Sequence, residues 1–244
     1  MKQLKFKIRQ TTLFLGCFLC ISLSVLGQEK TVNEILKNTQ KVMEQRNTMS
    51  CDLNYLWYDT YTSETPSASY KGVVIKQDKV VYSKINHTFF ISDALSQLAI
   101  KCNESQKALV ITKAGVSEQQ PWELLDTFTD QFSVKNVIDK GNHWICSLTT
   151  DVITQLPYGK VEIYIDKKSS LITKQVLYFL SQTPYKTANG EKRIGSPKME
   201  ITLSNYKTVL NETEKRTVQL NTYVKQSGST IQPVGVYKKF EIIQ

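Results

Sequence analysis

His143-Trp144-Ile145-Cys146 sets an imidazole and a thiol three residues apart, types that elsewhere form a nucleophile with its base or two ligands of a metal. The stretch around them reads as a strand, where residues three apart point to opposite faces, so the two side chains diverge. His87 is the only other histidine, and Cys51, Cys102 and Cys146 are scattered without C-x-x-C or H-x-x-x-H spacing. No metal site is expected from them. Asp126 and Asp130 lie four apart on a predicted helix, a spacing that could serve acid-base work or hold a cation; a solvated helix face accounts for both. Neither a glycine-rich phosphate loop nor a G-x-S-x-G elbow occurs. The sequence gives no reason to expect an enzyme, a catalytic residue or a cofactor.

The chemistry left is that of apolar surface, and the elements that carry it come next. Of the 244 residues, the first 27 have the pattern of a secretory signal. Lys2, Lys5, Lys7 and Arg9 form a basic start, Thr11 to Leu26 is uncharged and apolar, and Val25-Leu26-Gly27 precedes Gln28 at a cleavage position. The apolar run is short of the roughly 20 residues that span a bilayer as a helix. Phe14-Leu15-Gly16-Cys17 also offers a lipid-attachment site, although the apolar run continues well past it, which favours cleavage after Gly27. Residues 28–244 are thus expected as one exported, periplasmic domain. Removing the leader takes four basic residues and no acidic one, leaving 27 basic against 22 acidic. These charges are scattered and not interleaved with aromatics, so nucleic acid is not an expected partner. Three cysteines in an exported chain allow at most one internal disulfide beside one buried thiol.

Thr31 followed by Glu34 makes a capping box, and Val32, Ile35, Leu36, Val42 and Met43 fall on one helical face, which predicts a helix over 32–48. From Cys51 the pattern changes to short runs rich in Val, Ile, Tyr, Phe and Thr: DLNYLWYD, SYKGVVIK, KVVYSKI, HTFFISD, QLAIKCN and ALVITK. Residues 58–69 lack buried positions and read as a loop. Pro121 with Trp122, Leu125 and Phe128 predicts a second, short helix. Strands follow at 134–139 and 143–149, then a ribbon in which Val161, Ile163 and Ile165 alternate with polar residues. LITKQVLYFL is its partner, TPYKTANGEKRIGSP a polar loop, and KMEITLSNYK repeats the alternation through Met199, Ile201 and Leu203. Two closing strands are expected at 217–225 and 234–243. The fold class is mainly β with α: a strongly curved antiparallel sheet, or unclosed β-barrel, with a helix on its concave side.

FFISDALSQLAIKCNESQKALVI, Gly72-Val73-Val74-Ile75-Lys76, Val161 to Asp166, and Ile201 to Lys207 with Asn205-Tyr206-Lys207 each resemble strands of the LolA/LolB family of lipoprotein carriers. The resemblance spans most of residues 28–244. It implies an unclosed barrel capped by helices, enclosing an apolar cavity for the acyl chains of a lipoprotein or lipid, with no bond chemistry. The family's carriers have an Arg-Pro pair after the Gly-led strand, the Arg latching barrel to lid; this chain has Gln77-Asp78 there.

The expected function is a monomeric, non-enzymatic periplasmic carrier or chaperone for acyl chains or another apolar ligand. Its candidate wall is Leu36, Met43, Phe90, Trp122, Leu125, Phe128, Val161, Ile163, Ile165, Ile201 and Leu203. The Trp122 stripe reads first as core packing of a short helix against the sheet, with a movable lid as the alternative. Lys186, Lys192 and Arg193 of the polar loop are a solvated surface or a contact for an anionic headgroup or an envelope protein. Membrane association is expected to be peripheral or absent. The alternative is a scaffold or sensor that fills the half-barrel with its own side chains and works through protein contacts.

Overall fold

An alternating strand has one apolar face that must find a cover, and the architecture here is set by what covers each part of one large sheet. The computed structural model describes residues 30–113, 130–151, 156–227 and 230–243. Helix α1 (Val32–Glu44) is followed by β1 (Thr48–Tyr58), β2 (Ala68–Gln77), β3 (Val80–Ile85), β4 (Thr88–Asp93), β5 (Leu98–Asn103) and β6 (Ala108–Lys113). Next come β7 (Val134–Lys140), β8 (His143–Thr149), β9 (Tyr158–Asp166) and β10 (Ile172–Phe179), a hairpin of β11 (Thr183–Lys186) and β12 (Lys192–Gly195), and β13 (Lys198–Lys207). The tail comprises helix α2 (Glu212–Thr217), β14 (Val224–Ser227), β15 (Thr230–Pro233) and β16 (Glu241–Ile243), with 3₁₀ turns at Leu220–Thr222 and Gly235–Lys239.

Twelve of these strands form one curved sheet in the order β16-β6-β5-β4-β3-β2-β1-β13-β10-β9-β8-β7. Its end strands do not pair with each other, so it is not a closed barrel, and every pair is antiparallel except β16 with β6. The hairpins from β2 to β6 turn on residues that tolerate left-handed backbone, among them Asp78 (φ 54°) and Asn86 (φ 51°). In this order β10 lies between β9 and β13.

The sheet buries opposite faces in its two halves. Along one side, register runs from Cys146 to Ile163, Gln175, Ile201 and Tyr55, with Leu53 facing Leu203 and Cys51 facing Val74. This is the helix face: Val32, Ile35, Leu36 and Met43 of α1 share a core with these residues. Lys76 on the same side donates from Nζ to the carbonyls of Met43 and Glu44, both at 3.1 Å, tying the C-terminus of α1 to β2 where the helix dipole favours a cation. The other side is buried from β2 to β6, where Ile75, Tyr82, Ile91, Ile100 and Ile111 lie in one cross-strand row. Leu210, Val218, Tyr223 and Val224 of the tail pack there. On this tail face Ser50 donates to Glu214 Oε1 at 3.0 Å, and Glu214 also closes a capping box with Asn211 at the start of α2. β2 is the crossing point: Val74 belongs to the helix-face core and Ile75 to the tail-face core.

Three expectations need correction. The helix from 32 ends at Glu44 rather than 48, because β1 already pairs from Thr48. The polar stretch 183–197 contains a hairpin, closed by Gly190 at φ +86° and by the Thr187 amide bonding the Glu191 carbonyl; such a local ladder needs no buried face and leaves no apolar alternation. The tail is not two closing strands. Its capping box at Asn211 and Glu214 starts a helix, and only the three residues of β16 join the main sheet.

Gly72 sits where β2 passes between β1 and β3. A Cβ there would lie 2.6 Å from the Lys84 carbonyl oxygen, which is backbone and must shift. Gly72→Ala is therefore expected to cost about 1–3 kcal/mol, read from the urea midpoint.

Candidate functional site

Eight of the eleven candidate wall residues are described, and six of them sit on three strands of the sheet, β4, β9 and β13. Val161 faces Leu148 and Leu177, Ile163 faces Cys146 and Gln175, and Ile201 and Leu203 face Tyr55 and Leu53. Phe90 faces Ser83, which faces Val74, which faces Cys51, so Phe90 is on the same side of the sheet as the ribbon residues. Leu36 and Met43 come down onto that side from α1. Trp122, Leu125 and Phe128 lie outside the described residues, as do Asp126 and the leader.

Shared orientation does not make a shared opening. Val161, Ile163 and Ile165 are 0 % exposed, Leu203 3 % and Ile201 6 %, because α1 lies over the ribbon and fills it with Val32, Ile35, Leu36 and Met43. The leftover strip that the ribbon was expected to offer is filled by the protein's own side chains. Phe90 differs. It is half-buried and lies on the helix face with the half-buried Val81 and Val110, between Ser83 and the exposed Lys101 in register, with Val110 next beyond Lys101. Among the described residues, neither core takes in Phe90 or Val110. The neighbouring Phe89 turns the other way and is 1 % exposed in the tail-face core.

One polar group in the helix-face core is anomalous. Thr39 is fully buried on the inner side of α1, and its hydroxyl finds no hydrogen-bond partner among the described residues. A buried, unpaired hydroxyl carries a desolvation cost, so Thr39→Val, nearly the same shape, is expected to stabilise the fold by about 1 kcal/mol in chemical denaturation.

Among the described residues, the titratable groups do not assemble a reaction centre. Cys51, Cys102 and Cys146 are free thiols, all buried. Burial, with a smaller contribution from Asp52, pushes Cys51 up to about 12; burial alone does the same for Cys146; burial and Glu104 raise Cys102 to about 11. Thiols held protonated this way are poor nucleophiles and poor ligands. His143 and Cys146 point to opposite faces of β8, and Cys146 is in the core while His143 is half-exposed. No cluster of three potential metal ligands occurs among the described residues.

On the outer side of the ribbon, opposite α1, polar and aromatic side chains form a lattice. Lys160 pairs with Glu162 at 2.7 Å and lies 4.9 Å above the Tyr178 ring; Lys174 pairs with Glu200 and lies 4.5 Å above Tyr164; Tyr178 donates to Glu162. Val176, between Glu162 and Glu200 in register, is shielded by their neighbours' stems to 2 % exposure. This lattice neutralises itself and presents no single sign of charge.

Sequence reasoning missed the tail's role. Leu210, Val218, Tyr223 and Val224 cover half the sheet, and the Asn211-x-x-Glu214 capping box was the available sign that a helix, not a strand, begins there.

No family model and no curated protein matches the sequence. Solved structures similar to this chain include a LolA superfamily protein from Nitrosomonas europaea, with 11% identity, covering 79% of this chain and 99% of that one at a TM-score of 0.36. Another is an outer membrane lipoprotein-sorting protein domain from Vibrio parahaemolyticus (10% identity, 76% and 96% covered, TM-score 0.34). A third is the Mycobacterium tuberculosis lipoprotein LppX (9% identity, 74% and 97% covered, TM-score 0.35).

Proposed function

We propose that this chain is an exported, non-enzymatic binding protein of the cell envelope that holds an acyl chain or similar apolar ligand on the helix face of β3 to β6. The observation that carries this reading is that Val81, which packs against the helix-face core, and Phe90 and Val110 on the same face are half-buried apolar side chains outside the part that α1 seals, with Lys101 between Phe90 and Val110. Burying such a ligand contributes about 0.8 kcal/mol per methylene, enough for useful affinity from a partly covered chain. Protein purified from its host is extracted with solvent, and the extracted protein is titrated with a hydrophobic dye and then with decanoate. Co-purified lipid and dye displaced by decanoate, with displacement lost in Phe90→Asp, support the carrier. Absence of lipid together with no displaceable dye sinks it.

A second reading is favoured by one observation: the expected wall residues Val161, Ile163, Ile165, Ile201 and Leu203 are covered by the chain's own helix. A scaffold working through protein contacts would have such a filled core. It would bind neither dye nor decanoate and would show folding stability independent of added lipid.

A further inference from the structure

We infer that the protein carries a second binding site, for a neutral saccharide, at the end of the sheet where the β3–β4 and β5–β6 turns meet. A cavity of about 460 Å³ opens there, lined by Tyr70, Ile85, Asn86, His87, Thr88, Asn103, Ser105 and Gln106. Its size is within the range of small-molecule sites. Register shows how the sheet builds its floor: Ile85 faces Thr88 and Thr88 faces Asn103 in one row across β3, β4 and β5. The same row continues to Gly72, whose missing side chain leaves the β2 position low, with Tyr70 one step along the same face.

Composition selects the ligand. Six of the eight lining residues are amides, hydroxyls or an imidazole, and none carries a carboxylate, ammonium or guanidinium. Hydroxyls of a sugar both donate and accept, as do amides and alcohols, so they suit this lining; an acyl chain would strand its polar groups and an ion would find no counter-charge. The apolar part is Ile85, 36 % exposed, and the ring of Tyr70, 43 % exposed, whose flat face suits the C–H face of a pyranose.

The walls are held before any ligand arrives. The Asn86 amide bonds the Lys71 carbonyl at 3.3 Å, and the Glu104 amide bonds the His87 carbonyl at 2.8 Å, joining the two turns to their neighbours. Asn103 Oδ1 accepts from the Gln106 amide at 3.0 Å, which fixes that side chain and leaves Nδ2 as its donor to a ligand. Beneath, Lys84 and Glu104 pair at 2.8 Å and clamp β3 to the β5–β6 turn without entering the cavity. Preorganised polar groups of this kind favour a small rigid ligand because little ordering remains to be done.

The site is independent of the acyl-binding reading and is tested separately. Amide and side-chain NH₂ signals of the ¹⁵N-labelled protein are followed by NMR during titration with cellobiose, maltose and chitobiose. Saturable shifts confined to Asn86, Thr88, Asn103 and Gln106 with at least one disaccharide are expected. Tyr70→Ala should weaken that binding on the order of tenfold. Asn103→Asp keeps the Oδ1 acceptor for the Gln106 amide while removing the Nδ2 donor, and should abolish binding with the thermal midpoint unchanged. The inference is overturned if none of the three sugars gives saturable shifts, if the shifts survive both substitutions, if tri-alanine produces the same shifts, or if decanoate displaces the sugar.

Discussion

Phe89→Ala is expected to destabilise the protein by about 3–5 kcal/mol, while the same change at the next residue, Phe90→Ala, costs only about 1 kcal/mol. The two rings differ in what they touch. Phe89 packs at 4.8 Å from Tyr223, 5.6 Å from Tyr82 and 5.9 Å from Tyr237, centroid to centroid, linking β3 and β4 to two parts of the tail. Its removal leaves a cavity among large, rigid rings that cannot collapse easily, which puts it at the upper end of aromatic truncations. Phe90 on the opposite face is half-buried, so its loss exposes little that was sealed. Urea denaturation of both variants reads the difference directly. Equal costs would mean that the tail does not cover the β2–β6 half as described, and a larger cost for Phe90 would place a sealed core where the acyl strip is proposed.

Truncation after Val209 is expected to have a larger effect still: loss of the cooperative fold and aggregation of the product. Eight sheet residues, Ile75, Tyr82, Phe89, Ile91, Ile100, Cys102, Leu109 and Ile111, share the tail-face core with Leu210, Val218, Tyr223 and Val224. Uncovering such side chains costs about 1.5–3 kcal/mol each, and even the lower figure, taken over all eight, uses up a typical stability of about 5–15 kcal/mol. The tail also supplies edge protection, since β16 pairs with β6 and would leave that strand's backbone open. Circular dichroism with light scattering tests this. A truncated protein that stays monomeric with an unchanged urea midpoint would show that the tail is an appendage.

Individual strands were legible because side-chain direction along a strand has period two. Val161, Ile163 and Ile165 on β9, and Ile201 and Leu203 on β13, do share one face. The divergence of His143 and Cys146 followed from the same rule. The pairing of β9 and β13 through β10 agreed with the expected continuity of the sheet. Alternation weakens in β2, and there the sequence held a clue that its two faces are both used: Val73-Val74-Ile75 is a continuous apolar run, the pattern of a strand buried on both sides.

The candidate site was less legible, for a reason of scale. An alternating strand states that one face seeks a cover but not which element supplies it or how completely. Over the ribbon the cover is α1 and it leaves no opening; from β2 to β6 the tail covers the opposite face, so that Phe90 is left half-buried on the side where α1 does not seal. The cavity at Tyr70, Thr88 and Asn103 gathers residues from four strands and two turns, which no local spacing brings together.

By itself, then, the sequence determined the strands from β1 to β10 and β13, their in-and-out order and the absence of a recognisable catalytic motif, because these depend on neighbours two to four residues apart. Only the tertiary structure decided which apolar faces are spent on the protein's own core, because that depends on where α1 and the tail dock, contacts made between residues more than a hundred positions apart, such as Ser50 with Glu214.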